Sequence, residues 1–267
     1  MDRGYVHGYD QRENSRLQDQ ALTLVELLHG DTSYPAGSRV LEAGCGVGAQ
    51  TLTLAANSPH ADITAIDISA ASVAEAERAV TAAGLTNVRF ARANIFALPY
   101  VPESFDHLFV CFVLEHLPQP IEALRALRGY LRPGGTITVI EGDHGSTYFS
   151  PDSDAARAAI GCQVELQRRA GGDAMIGRAL YPLLIAAGYS APHVSPRMVY
   201  VDGSRPDLIE GFTRRTFTAM IAGVRESALA AGLTDAATFD QGVRDLYRTA
   251  AADGVFYYTF FKAVAGK

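Results

Sequence analysis

The chain has 267 residues, 48% of them hydrophobic and 19% charged, which is enough apolar side chain to bury one large core or two small ones. A formal net charge of -6 leaves no excess of Lys and Arg to neutralise a phosphate backbone, and no stretch interleaves basic with aromatic residues, so nucleic acid is not the expected partner. The opening residues lack the apolar core of a secretory signal, no apolar run reaches the roughly 20 residues of a membrane span, and Cys45, Cys111 and Cys162 have neither metal-ligand spacing nor an even count for a disulfide framework. A soluble, cytoplasmic, metal-free protein is expected.

Between Asp10 and His29 apolar residues recur at Leu17, Ala21, Leu24, Val25 and Leu28, the spacing of a helix, with Asp10 and Glu13 placed as a capping box. From Arg39 to about Gly142 strands and helices alternate. The strands read "RVLEA", "DITAID", "NVRFARA", "SFDHLFVCF" and "GTITVIEG"; helices are predicted from about Ala49, over 69–84 and around "IEALRALRGYL". That order predicts an α/β fold with a parallel sheet covered on both faces. Past Asp143 the pattern is less regular: helices over 152–170 and 176–187, an extended stretch near "HVSPRMVYVD", and two more helical patterns. The first of these carries Leu208, Phe212, Met220, Ile221, Val224 and Ala228, the second Phe239, Val243, Leu246 and Ala250. The chain closes on an aromatic strand, "GVFYYTFFKAV". With no repeat, low-complexity tract or long linker, a single domain over 1–267 is expected, with helical insertions.

The stretch "RVLEAGCGVGAQT", residues 39–51, is an apolar strand that breaks into a glycine turn and restarts as a helix. Such a turn lets a ligand approach the backbone, and the helix N-terminus offers free N–H groups and a partial positive charge, the geometry of nucleotide binding. Gly44, Gly46 and Ala49 satisfy the dinucleotide pattern G-x-G-x-x-[GA], while Gly44, Gly46 and Gly48 satisfy G-x-G-x-G, so the glycines alone do not choose a ligand. Asp67 ends "ITAID" about 20 residues on, where a carboxylate accepts both hydroxyls of an adenosine ribose. Discrimination comes from Glu42, two residues before the first glycine: a diphosphate would meet its negative charge, whereas an α-amino group or a sulfonium would be favoured. Asn94, just past the third strand in "RANIFALPY", offers an amide to an adenine edge.

Taken together, "LEAGCGVG" at 41–48, "AIDIS" at 65–69, "ANIFALP" at 93–99, "FDHLFVCFVLEHL" at 105–117 and "LRPGG" at 131–135 resemble the class I S-adenosylmethionine-dependent methyltransferases, especially the small-molecule branch that includes the ubiquinone and menaquinone biosynthesis type. The resemblance covers 39–141 and implies a Rossmann-like, seven-stranded, mostly parallel sheet with an antiparallel last strand, helices on both faces and helical lid insertions. It implies S-adenosylmethionine as cofactor, an N-terminal helical cover over 1–37, a cofactor-binding core over 38–142, and substrate-side helices and last strands over 143–267. By the same resemblance Glu42, Gly44, Cys45 and Gly46 line the methionine and ribose side, Asp67 with Ile68 meets the ribose, Asn94 with Ile95 contacts the adenine, and Cys111 and Phe112 lie beside the methionine portion. Asn94 departs from the family, which more often has Asp there. Tyr9, over the donor methyl, and Arg16, pairing with the methionine carboxylate, extend the set into the N-terminal segment.

Methyl transfer from a sulfonium is an in-line displacement from an activated donor, so alignment and exclusion of water are the main requirements. For a hydroxyl acceptor a base helps, and "EGDHGS", read as following the fifth strand, supplies Glu141, Asp143 and His144; His144 is chosen because its ordinary pKa lies near neutrality. His116 in "LEHL" is read as supporting its turn. Tyr9, His144 and Tyr200 are expected at the acceptor, and the aromatics Tyr148, Phe149, Tyr181, Tyr200, Phe212 and Phe217 suit a bulky apolar metabolite, although each taken singly is more often core. A homodimer through the N-terminal helix or the aromatic strand is compatible with the pattern. Two other readings stand beside methyl transfer: a cyclase or sensor that binds the cofactor without transfer, and an NAD(P)-dependent oxidoreductase, against which Glu42 and "LRPGG" argue.

Overall fold

The computed structural model describes residues 23–267. Tyr9 and Arg16, and most of the helix expected over 10–29, lie outside the described residues; its described end is a helix over 23–29, α1. Seven strands follow: β1 (Arg39–Ala43), β2 (Asp62–Asp67), β3 (Val88–Arg92), β4 (Phe105–Cys111), β5 (Leu131–Ser150), β6 (Ser190–Val201) and β7 (Val255–Gly266). They form one sheet in the order β3-β2-β1-β4-β5-β7-β6. The pairs β1/β2, β1/β4, β2/β3 and β4/β5 are parallel. Strand β7 runs against both neighbours: Lys267 N–H bonds the carbonyl of Gly135 while Thr259 N–H bonds Ser146 Oγ, and Gly266 faces Ser190 while Lys262 faces Ser195. Partners that advance on one strand and retreat on the other define an antiparallel pair.

Chain contacts divide the molecule into two compact units. One comprises Val25–Gly142, Ile176–Arg197 and Phe261–Lys267; the other comprises Asp143–Met175 and Met198–Phe260 with residues 23 and 24. The first holds the glycine turn. Its helices are α2 (Ala49–Asn57), α3 (Ala70–Ala82), α4 (Pro120–Arg128) and α6 (Leu180–Ala186); the second unit's α5 (Asp154–Ala170) comes between α4 and α6 in the chain. Ser69 starts α3 as its cap, its hydroxyl accepting from Ser72 N–H, and Pro120 starts α4 at a position where a missing N–H costs nothing. The core joins Leu41, Ile66, Leu108 and Val110 of the sheet to Leu124, Leu127, Leu180 and Leu184 of the helices, all essentially without solvent contact. Burying each such side chain contributes about 1.5–3 kcal/mol.

At the C-terminal end of α1, two cations from the last strands grip the chain. Lys262 Nζ, on β7, donates to Asp31 Oδ1 and Thr32 Oγ1, each at 2.5 Å, and Arg197, on β6, donates to Asp31 Oδ2. Lys262 and Arg197 also reach the carbonyls of Leu28 and Leu27 at 3.4 Å, where the helix dipole favours positive charge. Burial lowers the Lys262 pKa, Asp31 opposes that, and Asp31 itself is held at about 2.

The second unit is built on aromatic rings. Phe212, Phe217, Phe256, Tyr258 and Phe260 pack with centroids 4.7–6.5 Å apart, tilted or edge to face. Helix α5, capped by Ser153, lies against α10 (Ala236–Arg248), capped by Asp235; Gly242 permits the approach, since a Cβ there would stand 2.3 Å from the Ala155 carbonyl.

Three local expectations are corrected. "EGDHGS" does not follow β5; the strand runs on to Ser150, because Ser146 is locked to Thr259 of β7 in both directions, and Glu141, Asp143 and His144 are therefore buried strand residues. The helix expected over 176–187 begins as a 3-10 turn, Ile176–Ala179, before α6, with Gly177 close enough to the carbonyls of Glu141 and Gly142 to exclude any side chain. The helical pattern from Leu208 is no regular helix: α7 (Pro206–Leu208) leads into a wide π-helix, Ile209–Thr218, then α8 (Ala219–Gly223) and α9 (Arg225–Ala230). There Thr216 Oγ bonds the carbonyl of Gly211 five residues back at 2.7 Å, and β-branched residues at 213, 216 and 218 disfavour the tighter helix.

Candidate functional site

Strand β1 ends at Ala43 with Glu42 almost wholly buried, at 2% exposure. The turn after it folds back on β2: Gly44 and Cys45 N–H groups share the carbonyl of Ile66 at 2.8 and 2.9 Å. All three turn glycines have positive φ, but they serve different ends. A Cβ on Gly44 would lie 2.4 Å from Val113 Cγ2, so this glycine allows protein to approach protein. A Cβ on Gly46 would meet no atom of the described residues within 4 Å, so among them the space there is open.

Asp67 connects the turn to the end of β2. Its Oδ2 accepts from Gly46 N–H at 3.0 Å and its Oδ1 from Ser69 N–H at 2.8 Å, which fixes the carboxylate plane and leaves each oxygen a second lone pair. The Asp67 carbonyl accepts from Ala93 N–H at 3.0 Å, joining the loop of Asn94 and Ile95 to the same end of the sheet. Asn94 spends its side-chain oxygen on Phe96 N–H, an Asx turn, so its NH2 group is what it offers outward. Ile68 stands 59% exposed beside Asp67, an apolar surface at the expected ribose and adenine position.

At the end of β4, Cys111 is buried and Phe112 adopts φ 57, a left-handed conformation costly for a phenylalanine. The next two N–H groups, of Val113 and Leu114, both donate to Glu141 Oε1 at 3.0 and 2.7 Å. Glu141 thus clamps the turn that carries Phe112. Glu115 follows, 3.5 Å from His116 Nε2.

The electrostatics of this end are negative. Burial, with the charge of Asp67 adding, pushes Glu42 up to about 7. Burial, then Glu115, drives Glu141 well above the ordinary carboxylate range against the pull of its N–H donors. Among the described residues Glu42 Oε2 and Glu141 Oε2 are buried with no hydrogen bond of good geometry, although the Thr51 hydroxyl bears on the Glu42 carboxyl and draws its pKa down. Cys45, Cys111 and Cys162 are unpaired, and burial raises all three thiols, which makes them poor nucleophiles. Among the described residues no group of His, Cys, Asp and Glu is placed to hold a metal ion.

The structure therefore brings Glu42, Gly44, Cys45, Gly46, Asp67, Ile68, Asn94, Ile95, Cys111 and Phe112 together in the first unit. His144 and Tyr200 belong to the second. His144 is buried, its Nδ1 3.1 Å from both the Ala174 carbonyl and Tyr258 Oη, its ring against Phe217 and Tyr258. Tyr200 is 45% exposed on β6. Of the aromatics expected to favour an apolar acceptor, Phe149, Phe212 and Phe217 are core, while Tyr148 and Tyr181 are exposed. The clamp from Glu141 to the Phe112 turn was not readable in sequence, because it needs β4 and β5 side by side.

These features define a class. The strand order, the glycine turn and the acidic ends of β1 and β2 are those of the class I S-adenosylmethionine-dependent methyltransferase fold, and residues 40–135 match the family model described as a methyltransferase domain. Within that class the chain resembles the small-molecule branch of the ubiquinone and menaquinone type. It is 33% identical over 134 residues to the 27-O-demethylrifamycin SV methyltransferase of Amycolatopsis mediterranei, half of this chain and 49% of that protein. It is 32% identical over 107 residues to the demethylmenaquinone methyltransferase of Shouchella clausii, 40% of this chain and 46% of that protein. An uncharacterised 37.1 kDa protein in transposon TN4556 of Streptomyces fradiae is 35% identical over 190 residues, 70% of this chain and 54% of that protein. The chain spans about half the length of these curated relatives. Among solved structures, the [4+2]-cyclase SpnF has the same fold, with TM-score 0.53 at 23% identity over 91% of this chain and 80% of that one.

The residues present fit the cofactor of this class. The unpartnered Glu42 oxygen suits an ammonium or sulfonium, the open space at Gly46 admits a ligand against the backbone, and Asp67 retains acceptor capacity for two hydroxyls.

Proposed function

We propose that the chain catalyses methyl transfer from S-adenosylmethionine to a small, largely apolar or aromatic metabolite. The observation that carries the reading is the buried Glu42 carboxyl at the end of β1, one oxygen unpartnered, beside a glycine turn with open space at Gly46. Leaving such a group unpaired costs about 1–3 kcal/mol, a cost that a cationic ligand removes. The bound donor supplies a methyl group already activated as a sulfonium. The chain's own part is to hold and orient: Glu42 takes the ammonium end, Asp67 the ribose hydroxyls, Ile68, Asn94 and Ile95 the adenine, and Cys111 with Phe112 the methionine side. Tyr9 and Arg16, outside the described residues, are assigned to that set, and Tyr9, His144 and Tyr200 are assigned to the acceptor. His144, its Nδ1 3.1 Å from the Ala174 carbonyl, is the proposed general base.

Relatives named as methyltransferases of demethylrifamycin and demethylmenaquinone support a small-molecule acceptor. Three unpaired, buried cysteines support a cytoplasmic setting. That a [4+2]-cyclase shares the fold supports a second reading, donor binding without transfer. A radiolabelled methyl-transfer assay against a panel of phenols, hydroxyquinones and macrolactones decides: label in product supports transfer, and donor binding with no label in any acceptor supports the second reading. Calorimetry in which NAD binds and S-adenosylmethionine does not overturns both.

A further inference from the structure

Buried Cys111 feels three carboxyl groups of the first unit, Glu141 from β5, Glu42 from β1 and Glu115 from the 3-10 turn after β4, and, in the opposite sense, Lys262 of β7. Glu141 is distinct among the three. Its Oε1 takes the N–H groups of Val113 and Leu114, with the Glu115 N–H also acting on the carboxyl, so a proton on this side chain sits on Oε2, which is buried and makes no hydrogen bond among the described residues. The clamp holds that oxygen midway along β5, one residue past the pairing of Ile140 with Cys111 at the carboxyl end of β4, and the carboxyl ends of the parallel strands are where ligands bind in sheets of this topology. Glu115 acts on the Glu141 carboxyl electrostatically, and His116, 3.5 Å from Glu115 and with 23% of its side chain exposed, borders solvent.

We infer that Glu141 is an acid–base group that balances the charge of the donor, giving up its proton when the sulfonium enters and regaining one when the methyl group leaves. This rests on the methyl-donor reading above. The electrostatic reason is that a buried cation and a buried carboxylic acid make a charged interior, whereas a cation and a carboxylate make a neutral one. On transfer, the acceptor's lone pair forms the new bond to carbon and the C–S bond breaks with its electron pair on sulfur. The acceptor sheds one proton, and Glu141, now beside a neutral sulfide, takes one up. The buried charge is zero before and after. Glu115 on the turn bears on Glu141 directly and faces His116, while Cys111 on β4 feels Glu141, Glu42 of β1, Glu115 and Lys262 of β7.

The test is calorimetry of the intact chain with S-adenosylmethionine and with S-adenosylhomocysteine, each in buffers of different ionisation enthalpy at a series of pH values from about 5 to 8. Both ligands carry the same ammonium, so a proton released by Glu42 appears with both and cancels. The expected difference is close to one proton more released by the sulfonium ligand. Glu141→Gln, which keeps an oxygen for Val113 and Leu114, abolishes that difference; Glu42→Gln leaves it. Equal proton counts for the two ligands in the unaltered chain, or a difference that survives in Glu141→Gln, overturn the inference. Failure of both ligands to bind overturns the donor reading itself. The unaltered chain alone decides if the variant does not fold.

Discussion

The two units differ in how they hold their buried acids. In the unit with the glycine turn, Glu42 and Glu141 each keep, among the described residues, one oxygen without a hydrogen bond, and burial raises their pKa values. In the other unit the interior is aromatic, and the buried acid Asp143 accepts from Gly145 N–H at 3.0 Å. Underpaired buried acids weaken a fold, and the proposed donor, a cation, would offset that cost at the end of β1 and beside the end of β4.

The sharpest way to break this contrast is His144→Ala. If the second unit supplies the base, turnover falls about a hundredfold or more while S-adenosylhomocysteine affinity changes less than about threefold; equal turnover across pH removes His144 from the chemistry. Asp67→Ala comes next. It removes the proposed ribose acceptor and releases Gly46, and donor affinity is expected to fall about tenfold, roughly 1.4 kcal/mol, in calorimetry.

Gly44→Ala tests the turn as structure, since a Cβ at φ +86 and 2.4 Å from Val113 costs about 1–3 kcal/mol in urea unfolding. A smaller effect follows from Glu42. Its carboxyl is raised from the usual carboxylate range to about 7, so the native state holds a proton the unfolded chain has lost; stability falls as pH climbs through that window and is flat above it. Glu42→Gln should flatten the ligand-free melting curve across that window while weakening donor binding; an unchanged pH slope would count against a buried, raised Glu42. Smallest is Arg89→Ala, which breaks an exposed pair with Asp62 and is expected to cost under about 0.5 kcal/mol; a larger loss would show the surface of the first unit to be tighter than its exposure implies.

Much of this was legible from the chain. The alternation of apolar strands and helices, the glycine turn and the acid at the end of "ITAID" report local chemistry, and local chemistry is written in order along the sequence. Helix caps at Ser69 and Ser153, and the aromatic last strand, follow from the same short-range rules. The extent of β5 was not legible, because glycine and aspartate in "EGDHGS" suggest a turn and only pairing with β7 overrides them. The π-helix from Ile209 was hidden for a similar reason, its apolar spacing fitting an ordinary helix until neighbouring packing widened it.

The sequence by itself determined the class of fold and the kind of donor, since a turn that admits a ligand and the carboxylate before it lie within seven residues of each other. Only the tertiary structure decided which glycine leaves room and which merely allows packing, and that Glu141 anchors the turn at Phe112. Those facts join β1 to a loop some seventy residues on and β4 to β5, and a contact between distant segments is fixed by the folded sheet alone.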